Sequence, residues 1–140
     1  MKSLCIGLSS LLLTVGISPL NQYFTEIEKR WHSNHQYEIN YVIKDKQTWE
    51  EHYKKYHNDK VPNIDFSKEM VLGSYYGIKP NTGYQIEIKQ IRSTDYALEI
   101  LVEKTTPKPR HMYPEVITNS YHLVKTEKND KEIFWIDEKK

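Results

Sequence analysis

Asp65-Phe66-Ser67-Lys68-Glu69-Met70-Val71-Leu72-Gly73-Ser74-Tyr75-Tyr76-Gly77-Ile78-Lys79-Pro80-Asn81-Thr82-Gly83-Tyr84-Gln85-Ile86-Glu87-Ile88-Lys89 holds two strand-like runs on either side of a polar turn. Met70 to Ile78 is apolar almost throughout, as a central strand covered on both faces should be. Tyr84, Ile86 and Ile88 alternate with Gln85, Glu87 and Lys89, the period of a half-exposed strand. Between them, Pro80 presets φ near −65°, Asn81 and Gly83 tolerate positive φ, and Thr82 can bond its own backbone. A turn so constrained presents one shape to a partner.

Outward from this stretch the chain stays β-rich. Phe24 to Trp31 reads as a first strand, His32 to His35 as a polar turn, and Tyr37 to Lys44 as a second strand. Asp45 or Thr48 can cap a following helix, with Thr48-x-x-Glu51 in capping-box spacing, and Trp49, Tyr53 and Tyr56 form one apolar stripe facing the core. Asn58 to Asn63 is a loop. Tyr96 to Glu103, a strand within Glu115 to Lys125, and Glu132 to Ile136 complete the set. Thr105 to Pro114 carries three prolines and must cross the surface as an extended loop. The expected fold is α+β: a β-rich single domain with a curled antiparallel or barrel-like sheet of about seven strands and one main helix, preceded by a signal-peptide helix.

Residues 1–20 read as that signal peptide and 21–140 as the domain. Lys2 precedes an apolar run, Leu4 to Ile17, that is shorter than the roughly 20 residues of a membrane span and suited to a secretory leader. The expected location is secreted or cell envelope, with membrane contact only where the leader is retained. Cys5, the only cysteine, lies inside the leader, so the domain has neither disulfide, thiolate metal site nor cysteine nucleophile.

Charge excludes further classes. With 20 Lys+Arg against 19 Asp+Glu and a net charge of +1, no basic surface for nucleic acid is expected. His52 and His57 are five apart on a helical pattern, about 140° around its axis by the 3.6-residue repeat, and do not converge as zinc ligands. The histidines read as solvated surface groups. Gly73-Ser74-Tyr75-Tyr76-Gly77 misses the nucleophile-elbow pattern by one position, and Ser120-Tyr121-His122 has no acid beside it. No catalytic residue, metal ligand or small-molecule cofactor is expected.

What remains is binding. The turn Lys79, Pro80, Asn81, Thr82, Gly83, Tyr84 and the loop residues Pro107, Arg110 and Tyr113 are the expected partner-contacting residues. Both segments are proline-stiffened, which lowers the entropy cost of docking, and both display the aromatic and cationic side chains enriched at protein interfaces.

Asp65-Phe66-Ser67-Lys68-Glu69-Met70-Val71, the turn Lys79 to Tyr84 with Ile86-Glu87-Ile88, Glu103-Lys104-Thr105-Thr106-Pro107 and Ser120-Tyr121-His122-Leu123-Val124-Lys125 together resemble the C-terminal domain of PrcB-type protease-complex subunits. The order of motifs, spanning most of Tyr37 to Ile136, is more specific than any one of them. In that family the turn usually reads K-P-T-G-G-Y, whereas Asn81-Thr82 stands here, and Asn119-Ser120 replaces the usual Ser-Pro before Tyr-His. Both replacements keep turn-forming chemistry. The resemblance implies an exported, non-catalytic protein-binding domain, an accessory or stabilising subunit with a protease as the partner. As an alternative, Pro80-x-Thr82-Gly83-Tyr84 is similar to the N-P-T-T-G-Y wedge of chagasin-like protease inhibitors, with Lys79 in place of Asn.

Overall fold

The computed structural model describes residues 20–140. The expected signal peptide lies outside the described residues except for Leu20. Eight strands and one helix follow in the order β1 (Leu20–Asn21), β2 (Phe24–Arg30), β3 (Glu38–Ile43), α1 (Lys46–Tyr56), β4 (Glu69–Tyr76), β5 (Gln85–Ser93), β6 (Ala97–Thr105), β7 (Tyr121–Glu127) and β8 (Glu132–Lys139). They form two four-stranded sheets, ordered β1-β5-β6-β8 and β2-β7-β4-β3.

The apolar run in β4 fits this arrangement. Its sheet lies between the other sheet and the helix, so both faces of the strand are covered. Met70, Leu72 and Tyr76 pack with Ile86, Ile88 and Ile91 of β5 and Leu98, Ile100 and Val102 of β6 to form the core between the sheets. Val71 and Tyr75 point the other way, into a second core with Trp49 and Tyr53 of α1 and Tyr121 and Leu123 of β7. The three-layer stack is therefore read out along one strand, one residue to each side in turn. Burying each large aliphatic side chain is worth roughly 1.5–3 kcal/mol.

The helix begins where Asp45 accepts from the Thr48 amide at 2.8 Å, so Asp45 is the N-cap and Thr48 lies within the first turn. Trp49 and Tyr53 of the expected stripe are buried. Two corrections concern the sheet. It is split in two and not closed into a barrel, and β8 pairs with β6 in parallel. The parallel pairing arises because the chain leaves β6, crosses to the other sheet as β7, and returns beside β6 in the original direction.

A bulge in β2 sets which layer each of its acids reaches. Glu26 stands opposite Val124 and Glu28 opposite Leu123, leaving Ile27 as the extra residue. Residues two apart normally share a face of a strand; the extra residue sends Glu26 and Glu28 to opposite faces.

Candidate functional site

The two expected contact segments come together at one end of the molecule. Lys79 and Thr118 exchange main-chain bonds at 2.8 and 2.9 Å, tying the turn after β4 to the residues before β7. Asn81 Oδ1 accepts from the Gly83 amide at 2.8 Å, which closes the turn on itself. The Thr82 amide donates to the Pro114 carbonyl at 3.3 Å. Gly83 is covered by Pro107: a Cβ at Gly83 would lie 2.8 Å from Pro107 Cγ. The second segment is itself folded. The His111 amide donates to the Lys108 carbonyl at 3.3 Å, with Pro109 and then Arg110 at φ 66 in the middle, a type II turn whose third residue is ordinarily glycine. Tyr113 Oη accepts from the Lys108 amide at 3.1 Å.

This packing sorts the expected contact residues. Gly83 is buried, and Lys79, Asn81, Thr82, Tyr84, Pro107 and Tyr113 are half-buried, whereas Pro80 and Arg110 are exposed. Lys79 Nζ lies 4.5 Å from the Tyr76 ring centre and 5.6 Å from that of Tyr84, so its charge faces aromatic rings within the turn. Sequence reasoning missed the apolar part of this end: Met112 is 97% exposed, Ile117 68% and Ile78 51%. For Met112 the sign available was an apolar residue inside a proline-broken segment unable to pair in a sheet, whereas Ile78 and Ile117 lie in stretches that read as strand-bearing and gave no such sign.

The histidines require a larger correction. His35, His52, His57 and His122 are buried, contrary to the expectation of solvated groups. His52 and His57 do converge, because the helix ends at Tyr56 and His57 adopts extended backbone, φ −135° and ψ 153°, that turns its ring inward. Both Nε2 atoms reach the Tyr75 hydroxyl, at 2.8 Å from His52 and 2.7 Å from His57. That hydroxyl has one hydrogen, so one imidazole accepts and the other donates. Glu28 Oε1 lies 4.0 Å from His57 Nδ1, which favours a proton there and makes His57 Nε2 the acceptor. The same carboxylate accepts from Tyr121 at 2.5 Å and Tyr53 at 3.1 Å, and Arg30 joins it to Asp59 at the surface. Burial pushes the His52 and His57 imidazoles down to about 4. Burial likewise holds the Tyr75 phenol far above its ordinary value. The cluster is a satisfied polar core of neutral rings. Among the described residues no group of three or more His, Cys, Asp or Glu is placed to hold a metal ion.

Ser120 and His122 do not form a nucleophile pair. His122 Nδ1 accepts from the Ile88 amide at 2.9 Å, and Nε2 donates to Glu26 at 2.9 Å, an acid delivered by the β2 bulge. Both ring nitrogens are engaged, leaving none to take a proton from Ser120. Burial holds the His122 imidazole below its ordinary value, partly offset by the Glu26 carboxylate.

No curated protein and no solved structure matches the chain. A family model described as PrcB C-terminal matches residues 70–127, the span from the central strand β4 through β7. That span contains the turn, the proline-marked loop and the Ser120-Tyr121-His122 motif. Over residues 70–127 the chain is similar to the PrcB C-terminal family.

Proposed function

We propose that this is an exported, non-catalytic protein-binding domain that serves as an accessory subunit of a protease complex, docking through the end of the molecule where the two loops join. The observation that carries the reading is the packing of Pro107 on Gly83, which fuses two proline-stiffened segments into one preformed surface bearing Pro80, Arg110, Met112 and Ile117. A surface already ordered before contact loses little conformational entropy on docking, and exposed apolar and Arg side chains supply its anchors. The family match is the support for a protease-complex partner. A wedge inhibitor needs a projecting turn; here Gly83 is buried and Thr82 is tied to Pro114, which favours docking over insertion.

The test uses the full chain as bait against the exported fraction of its own cells, with proteolytic activity on the bait as the readout. The wild type is expected to retain activity. Met112→Asp combined with Ile117→Asp, both on exposed side chains, is expected to lower retention about 10-fold or more while leaving the melting temperature unchanged. Absence of proteolytic activity on the wild-type bait, or equal retention by the double variant, overturns the reading.

A further inference from the structure

Where β2 and β5 face each other, the two sheets leave a cleft of about 250 Å³ lined by Lys29, Arg30, Trp31, Gln85, Ile86 and Ser120. No main-chain hydrogen bond joins β2 to β5 among the described residues. The span is bridged by a side chain, Lys29 Nζ to Glu87 at 2.9 Å. Further along, the His122 ring fills the same gap and takes the Ile88 amide.

Main-chain groups face this cleft from both walls. Lys104 accepts from the Lys140 amide on its β8 side, so its main chain turns away from β5, and its β5 partner Ile86 correspondingly turns its N–H and C=O away from β6. The outward Ile88 amide, two residues on, confirms the alternation. On the other wall, the Ser120 carbonyl accepts from Tyr76 in β4. Tyr121 then faces β2, its partner Arg30 faces back, and Lys29 turns its main chain to the cleft. On the β7 wall stands Ser120, which is 5% exposed and whose Oγ has no hydrogen-bond partner. Buried hydroxyls are nearly always paired, so an unpaired one at a cleft marks a place for an incoming group.

We propose that this cleft binds a short extended segment of the protein partner, main chain to main chain with Ile86 and Lys29, with a hydrogen-bonding side chain seated on Ser120 Oγ. The inference rests on the protein-binding reading and specifies the chemistry of the contact. The cleft adjoins the loop surface: Gln85 follows Tyr84 directly, and the Asn119 amide bonds the Trp31 carbonyl at 2.9 Å. A free anion is disfavoured because Lys29 is paired with Glu87, and Arg30 with Glu28 and Asp59. Strand addition to an open edge is a recurrent way for a domain to hold a peptide, backbone bonds giving affinity and one side-chain site giving selectivity.

The probes are N-acetylated, C-amidated tripeptides with Ser or Gln at the centre, compared with a Leu-centred control, titrated into isotope-labelled protein. Shifts at the Ile86 and Lys29 amides are expected with the polar-centred peptides. Ser120→Ala is expected to weaken them about 5–10-fold, the loss of one buried hydrogen bond. Met112→Asp with Ile117→Asp is expected to leave peptide binding unchanged. Unmoved Ile86 and Lys29 amides, no preference over the Leu control, or full binding by Ser120→Ala each overturn the cleft assignment. Failure of the loop variants to affect partner retention would instead strike the docking reading, so the two failures are distinguishable.

Discussion

Tyr75 is the residue on which the helix-side core turns. Its hydroxyl joins two imidazoles, and deleting it leaves two buried ring nitrogens without a partner. Tyr75→Phe is therefore expected to cost about 2–3 kcal/mol, more than a tyrosine with a solvated hydroxyl would, measured by urea denaturation at neutral pH. Acid acts on the same place. His52 and His57 titrate near 4 when folded, against 6.5 for a free imidazole. Above pH 6.5 both are neutral folded and unfolded, and contribute no pH dependence. As pH falls from 6.5 toward 4 the unfolded chain takes up protons first, so stability is lost across that window, by a few kcal/mol in total. Glu28 and Asp59 oppose the loss at His57, whereas Lys55 adds to it at His52. Urea midpoints measured between pH 7 and 4.5 are expected to fall, with a shallower slope in His57→Gln. A midpoint independent of pH would show that these rings are solvated after all. None of this was legible in the sequence. Five-residue spacing placed the two histidines on different sides of a helix, and only the extended backbone at His57 brings them together.

At the level of elements the sequence was more readable. Alternation marked β5, unbroken apolar character marked β4, and the start of α1 was narrowed to Asp45 or Thr48, of which Asp45 is the cap. Asp45→Ala is expected to cost about 1 kcal/mol through loss of the cap, read from thermal or chemical unfolding. The bulge in β2 was hidden, since Glu26-Ile27-Glu28 alternates like any edge strand and yet divides its two acids between layers. The turn after β4 was legible in its chemistry but not in its packing. Nothing local in Lys79 to Tyr84 announces that Pro107 lies over Gly83. Gly83→Val forces those two apart and is expected to cost about 1–3 kcal/mol, with faster amide exchange at Thr82 as the specific sign that the loops have separated. The two expected contact segments thus share one surface, with Gly83 and Tyr84 as supports beneath it and Met112 among its exposed neighbours.

For the molecule as a whole, the split into two sheets was the main feature that strand counting could not supply. A run of about seven strands is compatible with one curled sheet, and the decision rests on long-range partners such as β8 returning to β6. The layers meet over aliphatic side chains, but their margins are polar. Lys104, buried on β6, donates to Asp137 of β8 at 2.8 Å and to Glu38 of β3 in the other sheet at 2.6 Å. Burial works to lower the Lys104 ammonium, but the bonds to Asp137 and Glu38 outweigh it and hold the group above its ordinary value. At the other margin Lys29 reaches Glu87 and His122 reaches the Ile88 amide. Aliphatic contact is nearly indifferent to a small slide of one layer over the other, whereas ion pairs and hydrogen bonds at both margins are met at a single offset. Lys104→Met keeps the buried area and is expected to leave the unfolding midpoint nearly unchanged, yet to broaden the methyl resonances of Ile100 and Val102 as neighbouring offsets become populated. The polar margins, in other words, act as a vernier: the oily interior holds the layers together, and the charged edges choose which graduation they stop at.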